Sequence, residues 1–257
     1  MSLEYAPKGL LGVLTPQANT TVEPEMAVMT PPGFAVLNAR LRSTKPTIAQ
    51  RLADYFDRYE EALGEFANAP LAAIGYACTG ASYLAGPSRE DALIARLEER
   101  SGASVTTAAS AVVDALRALN AHRVALVSPY DGPLDEASAG YWSARGFFVA
   151  ARISAYRETD AFHPIYSLGS EAARAGLIRV AGVDVDAVVM LGTGMPTLRP
   201  IAQTPYQDDA PVLSCMLCLG WRLVCGAQGH LPDRGSLLAF LDDKGWRARL
   251  ASSTLGD

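Results

Sequence analysis

Two similar α/β lobes, each a parallel sheet covered by helices, are what this sequence predicts, and three observations carry the prediction. Short Val-, Ile- and Leu-rich runs alternate with longer amphipathic segments along the whole chain, the pattern of strands buried on both faces by crossover helices. Two strand-end motifs each occur twice, in the same order, as an internal repeat would place them. A chain of 257 residues, 49% hydrophobic and 19% charged, has room for two compact lobes and is too apolar for disorder.

The elements follow in order. Leu10–Thr15 is an apolar run ending at Pro16 and reads as the first strand; polar Asn19, Thr20 and Thr21 then open a helix reaching Met29. Phe34–Leu41 is the second strand, and Thr44 ahead of Pro46 starts the longest helical pattern, Pro46–Asn68, because proline suits an early helical position. Leu71–Tyr76 is the third strand. Ser88, three residues before Asp91, is a capping-box variant for a helix over Arg89–Arg100, followed by strand Ala103–Thr107 and helix Ala109–Asn120. Strand candidates then recur at Arg123–Ser128, Phe147–Tyr156, Asp186–Leu191 and Pro211–Ser214, separated by helices at Pro133–Arg145 and Ser167–Val180 and followed by Leu217–Gln228.

The repeat divides the chain. Gly12-Val13-Leu14-Thr15-Pro16 is echoed by Ala125-Leu126-Val127-Ser128-Pro129, and Ala77-Cys78-Thr79-Gly80 by Leu191-Gly192-Thr193-Gly194. Pro16 precedes Cys78 by 62 positions and Pro129 precedes Gly192 by 63. The expected organisation is a first lobe over residues 1–120, a second over 121–216, a boundary near Asn120–Arg123, and C-terminal helices of about 217–250 packing back on the first lobe. Ligands of open parallel sheets bind beyond the carboxyl ends of the strands. Pro16, Cys78, Pro129 and Gly192 all follow strand ends, so lobes related by a pseudo-two-fold would enclose one cleft with Cys78 and Gly192 on opposite walls.

Cys78 enters the small-residue segment Thr79-Gly80-Ala81-Ser82, whose backbone N–H groups can face an anion and favour the nucleophilic thiolate; the alternative is a small buried hydrophobe ending a strand. Asn19, with Pro16 just before it, sits in the first strand-to-helix loop and can grip a carboxylate or cap the helix. Tyr130 follows Pro129 and can donate its phenol to a carboxylate or enolate, or pack at the seam. Gly192, Thr193 and Gly194 offer backbone but no acid or base, which disfavours two-base racemisation.

Cys215 and Cys218 have zinc-type spacing but lack a second pair, and Cys218 and Cys225 lie on one apolar helical stripe. Cys215, at the end of the last strand, can reach the cleft in place of the side chain missing at Gly192. His122, His163 and His230 read as surface residues. With 22 basic and 27 acidic residues the charge is −5, and the basic ones are scattered, which argues against nucleic acid or an anionic membrane as partner. No run of 18 apolar residues and no leader pattern is present, and four thiols suit a reducing compartment, so a cytoplasmic location is expected.

The segments Leu14-Thr15-Pro16-Gln17-Ala18-Asn19-Thr20-Thr21-Val22-Glu23, Tyr76-Ala77-Cys78-Thr79-Gly80, Val127-Ser128-Pro129-Tyr130 and Pro211-Val212-Leu213-Ser214 before Trp221 resemble the Asp/Glu racemase superfamily, in the branch of maleate cis-trans isomerases and arylmalonate decarboxylases. The resemblance implies two Rossmann-like (flavodoxin-like) lobes and an enzyme needing neither metal nor organic cofactor. It implies Cys78 as the nucleophile that adds to a small dicarboxylate, with Asn19, Tyr130, Thr79 and Gly80 holding the carboxylates. The family usually has Ser-Cys-Thr-Asn where this chain has Leu191-Gly192-Thr193-Gly194. The expected function is a cysteine-dependent isomerase of a small carboxylate. A one-thiol decarboxylase of substituted malonates and a catalytically reduced carboxylate-binding protein are the alternatives; a homo-oligomer is expected by analogy only.

Overall fold

The computed structural model describes residues 3–157 and 164–253. Its first sheet holds β1 (Gly9–Pro16), β2 (Phe34–Leu41), β3 (Leu71–Tyr76) and β4 (Ser104–Thr107), all parallel, in the order β2-β1-β3-β4. The second holds β5 (Arg123–Ser128), β6 (Phe148–Ser154), β7 (Ala187–Met190), β8 (Tyr206–Gln207) and β9 (Ala210–Ser214), in the order β6-β5-β7-β9-β8. Only β8 runs antiparallel. Counting only the parallel strands of each half, both sheets share the order second-first-third-fourth, so the doubly wound topology occurs twice. In such sheets the switch point lies between the first and third strands, here β1 with β3 and β5 with β7.

The helices are α1 (Val22–Met29), α2 (Ile48–Asp57), α3 (Tyr59–Ala62), α4 (Thr79–Ala85), α5 (Pro87–Ser101), α6 (Ala108–Ala118), α7 (Gly132–Ala144), α8 (Ser170–Val180), α9 (Leu198–Gln203), α10 (Cys215–Ala227), α11 (Arg234–Leu241) and α12 (Lys244–Ser252). Central strands are apolar from end to end because helices cover both faces: Leu11, Val13 and Leu14 in β1 and the whole of β7 are buried. Asn120, with φ +57°, turns the chain from α6 into β5.

Several sequence-based boundaries shift for local reasons. The long helix expected over Pro46–Asn68 is broken at Arg58 into α2, α3 and a 3₁₀ turn at Leu63–Phe66. Its cap is Thr47, in a reciprocal capping box with Gln50, rather than Thr44. Ser88 is not a cap either. Gly86, at φ +80°, precedes Pro87 at the first position of α5, the place where proline's missing N–H costs nothing. The small-residue segment Thr79–Ser82 forms the first turn of α4, and the helix expected from Ser167 starts at Ser170 after a 3₁₀ turn at Pro164–Ser167.

The two halves are fastened away from the sheets' ends as well. Helix α10 lies against the first sheet, where Gly75 leaves room for Leu219 and Leu223 and Gly226 lets the helix approach Ser104 and Ala73. Truncating such a buried leucine costs about 2–5 kcal/mol. Buried Glu90 of α5 accepts hydrogen bonds from Arg145 Nη2 (2.6 Å), Tyr141 Oη (2.5 Å) and Thr107 Oγ1 (2.6 Å). A buried charge so satisfied is tolerated, and losing one partner would be strongly destabilising. Among the described residues no helix is long and apolar enough to cross a membrane.

Candidate active site

The carboxyl ends of β1, β3, β5 and β7 converge on one small cavity of about 20 Å³ between the sheets. Pro16, Asn19, Cys78, Thr79, Gly80, Tyr130, Thr193 and Gly194 line it, with Leu52, Ile165 and Tyr166. Eight of the ten residues singled out in the sequence therefore share a single wall system.

Cys78 caps α4 in extended backbone (φ −144°, ψ 97°) and is 3% exposed. The Ala81 N–H and the Tyr59 hydroxyl face its sulfur and favour the thiolate, but burial outweighs them and pushes the thiol up to about 11. The sulfur is therefore protonated near neutrality, contrary to the thiolate expected from the small-residue segment. Desolvation penalises the charged form more than the two donors repay.

Asn19 uses both ends of its amide. Its Oδ1 accepts from the N–H groups of Thr21 (2.8 Å) and Val22 (3.2 Å), capping α1, while Nδ2 crosses the cleft to the Thr193 carbonyl (3.1 Å) and Oγ1 (3.3 Å). Thr193 Oγ1 donates back to the Ala77 carbonyl (2.8 Å), and Thr21 Oγ1 donates to that of Gly194 (2.9 Å). Tyr130 Oη and Thr79 Oγ1 lie 2.6 Å apart across the same gap. Burial holds the Tyr130 phenol well above its ordinary range, so it is a neutral donor. Arg40 fixes the first loop by donating to the carbonyls of Asn19 (3.1 Å) and Pro16 (3.4 Å), and pairs with Glu23.

The opposite wall is built differently. Gly192 adopts φ +83°, and a Cβ placed there would stand 2.7 Å from Ile165 Cδ1, 2.9 Å from Pro129 Cγ and 3.2 Å from Tyr130 Oη. The space is filled, and the backbone is one that residues with a Cβ rarely adopt. Cys215 is fully buried behind Gly192, its sulfur facing the Gly192 N–H and the Tyr83 hydroxyl, and burial raises it to about 12. It is not part of the cavity wall, because α10 starts there with Ser214 as cap and directs Cys215 behind the loop.

Behind the loop of residues 192–198 lies a carboxyl that sequence reasoning missed. Glu25 of α1 is buried, and its Oε1 accepts from the N–H groups of Thr197 (2.6 Å) and Leu198 (3.0 Å). Burial raises it to about 7 despite these bonds. Leu52, Ile165 and Tyr166 were also missed; each lies in a predicted-helix or loop stretch with no motif, and only the tertiary fold brings it to the cavity. His122 lies at the amino end of β5, away from the cavity, and His230 is exposed. His163 lies outside the described residues. Cys218 and Cys225 are buried on α10, and among the described residues no three His, Cys, Asp or Glu side chains converge as a metal-ligand group.

A twice-wound α/β protein with a buried cysteine at the seam of its two sheets is the class that fold and site define. The profile of the arylmalonate decarboxylase family matches residues 11–236, and the chain belongs to that family, within the broader Asp/Glu racemase superfamily. It is 32% identical over 218 residues to the maleate isomerase of Nocardia farcinica (strain IFM 10152), across 79% of this chain and 84% of that protein. A solved structure of a cysteine-to-serine mutant of the Nocardia farcinica maleate cis-trans isomerase, bearing a covalently bound succinylcysteine intermediate, superposes with a TM-score of 0.75 at 27% identity, over 86% of this chain and 93% of that one. The crystal structure of arylmalonate decarboxylase shares the fold, with a TM-score of 0.66 at 20% identity over 86% and 93% of the two chains.

Proposed function

We propose that the protein is a cysteine-dependent, cofactor-independent isomerase converting a small cis-unsaturated dicarboxylate such as maleate into its trans form. The observation that carries the reading is Cys78 beside the inter-sheet cavity, at the end of β3, with Tyr130 opposite. The likeness to maleate isomerases, one of them bearing a covalently bound succinylcysteine intermediate, supports the same chemistry.

In this reading Pro16, Asn19, Thr79, Gly80, Thr193 and Gly194 hold the substrate carboxylates by backbone and side-chain groups. Cys78 Sγ bonds to one alkene carbon, the π pair passes to the neighbouring carbon next to its carboxylate, and that carbon takes a proton through the Tyr130 phenol, matching the proton the thiol gives up. The central bond is now single and turns. Loss of the same proton and departure of the sulfur restore the double bond in the trans geometry, so atoms and electrons balance with no external oxidant. Exclusion of water suits the step: the sulfur gives up its proton as it bonds to carbon, because the thiolate is the attacking form, and the fixed phenol donor needs no solvent reorganisation.

A decarboxylase reading is supported by the family description and by structures at 20–21% identity, whereas the maleate isomerases named above stand at 27–32%. Incubation with maleate, followed by proton NMR, tests the proposal. Fumarate should accumulate without loss of carbon dioxide, and a quench should leave a succinyl-sized mass increase on the Cys78 peptide. Wild-type protein that leaves maleate untouched, or Cys78→Ala protein that turns it over as fast, overturns it.

A further inference from the structure

Tyr166 separates two spaces of unequal size. On one side is the Cys78 cavity of about 20 Å³; on the other, sharing the Tyr166 wall, is a chamber of about 260 Å³ between α1, α9, the start of α8 and the end of α12. The partition is thin. A Cβ on Gly194 would lie 2.8 Å from the Tyr166 ring, so the ring rests on bare backbone. The chamber also adjoins the cavity through the chain itself, because Asn19 of the cavity is followed by Thr20 and Thr21 of the chamber.

The chemistry of the chamber selects its occupant. Pro24, Val28, Leu168, Pro196, Leu198 and Leu250 give it apolar walls. Both charged groups of its lining are answered by the protein: Glu25 is engaged by the N–H groups of Thr197 and Leu198, and Arg199 lies within electrostatic reach of the Glu171 carboxylate. Space of this kind beside a reacting centre rewards an uncharged aliphatic group. We propose that the chamber is a substrate subsite, and that the preferred substrate is a cis-unsaturated dicarboxylate carrying a branched alkyl substituent on one alkene carbon, with Tyr166 as the residue that admits the substituent. This rests on the isomerase reading above and narrows its substrate. The reaction balances as before: the sulfur adds to the alkene carbon that bears hydrogen, the substituted carbon takes and later releases the proton, and the alkyl group never leaves.

The test compares maleate with 2-isobutylmaleate as substrates of the full-length protein, reading kcat and KM for each by proton NMR. The alkylated acid is expected to show a kcat/KM about tenfold or more above maleate, the scale of adding methylenes to an apolar pocket. Ser170→Phe and Leu250→Trp, which fill the chamber from two different helices, should bring the alkylated acid back to the level of maleate while leaving maleate turnover unchanged. Tyr166→Ala, which removes the partition, should lower KM for the alkylated acid relative to that for maleate. Turnover of maleate with no gain for 2-isobutylmaleate overturns the subsite, as does a folded filled variant that keeps the wild-type preference. Failure to turn over either acid overturns the isomerase reading itself, and the subsite with it.

Discussion

The ends of β3 and β7 hold equivalent places in sheets of the same strand order, yet one presents a thiol and the other none. At β3, Cys78 sits in ordinary extended backbone at the head of α4 and borders open space. At β7, Gly192 takes a left-handed conformation, and Pro129, Ile165 and Tyr130 occupy the volume that a side chain would need. The repeated topology thus supplies two equivalent positions, and local backbone and neighbours decide which of them can carry a side chain beside the cavity. The second half contributes in another way, through the Tyr130 phenol that reaches across to Thr79.

If the two walls are as unequal as this, Cys78→Ala should be the most damaging substitution, lowering kcat by at least about 10⁴-fold as loss of a nucleophile does, with the fold intact by circular dichroism. A residual rate within tenfold of wild type would mean that the thiol is not the reacting group.

The first half also holds the second in place. Glu25 is pushed from 4.5 to about 7 by burial, so the folded protein keeps this proton more tightly than the unfolded chain. The sign follows: the stability contributed by the neutral carboxyl is fully present below about pH 4.5 and is lost as pH rises through about 7. Glu25→Gln, which can still accept from Thr197 and Leu198, should therefore gain on the wild type by about 3 kcal/mol between pH 4.5 and pH 8. Urea unfolding at the two pH values measures it, and parallel curves at both would rule it out.

Tyr130→Phe sharpens the contrast between walls. It keeps the ring, which meets Tyr83 edge-on at 6.0 Å, and removes the hydroxyl. A loss of about 100-fold in kcat with little change in KM is expected for a lost proton-transfer group. A residue that only packs at the seam would leave kcat alone.

The sequence disclosed the duplicated α/β plan because the signals involved are local: apolar runs mark strands, and the paired strand-end motifs at Pro16 and Pro129, Cys78 and Gly192 fall where the structure has β1, β5, β3 and β7 ending. Eight cavity residues were legible for the same reason, each standing at a strand end or within four residues past it. What stayed hidden depends on long-range packing. Nothing near Ile165, Tyr166 or Leu52 in the chain marks it as a cavity wall, and nothing at Glu25 reveals that its partners are Thr197 and Leu198, more than 170 positions away. The ionisation of Cys78 was misread because the donors are local and visible, whereas the burial that outweighs them is a property of the whole fold.

The remaining test asks whether the second wall can be given what the first one has. Gly192→Cys restores a thiol at the position that mirrors Cys78, and it would help if the place were merely vacant. The geometry predicts the opposite. A residue with a Cβ at φ +83° bears a conformational cost of about 1–2 kcal/mol, and its Cβ must also displace Ile165, the Pro129 ring and the Tyr130 hydroxyl. Of these, Tyr130 can leave only by giving up its 2.6 Å contact with Thr79, so the new thiol would enter at the expense of the phenol to which the proposed mechanism gives the proton. Gly192→Cys should accordingly melt lower than the wild type and turn maleate over more slowly, with Gly192→Ala reproducing most of the loss of stability because the Cβ alone is responsible. A Gly192→Cys protein that is as stable as the wild type and faster would show that the two walls are interchangeable after all, and that the asymmetry between them is not enforced by packing.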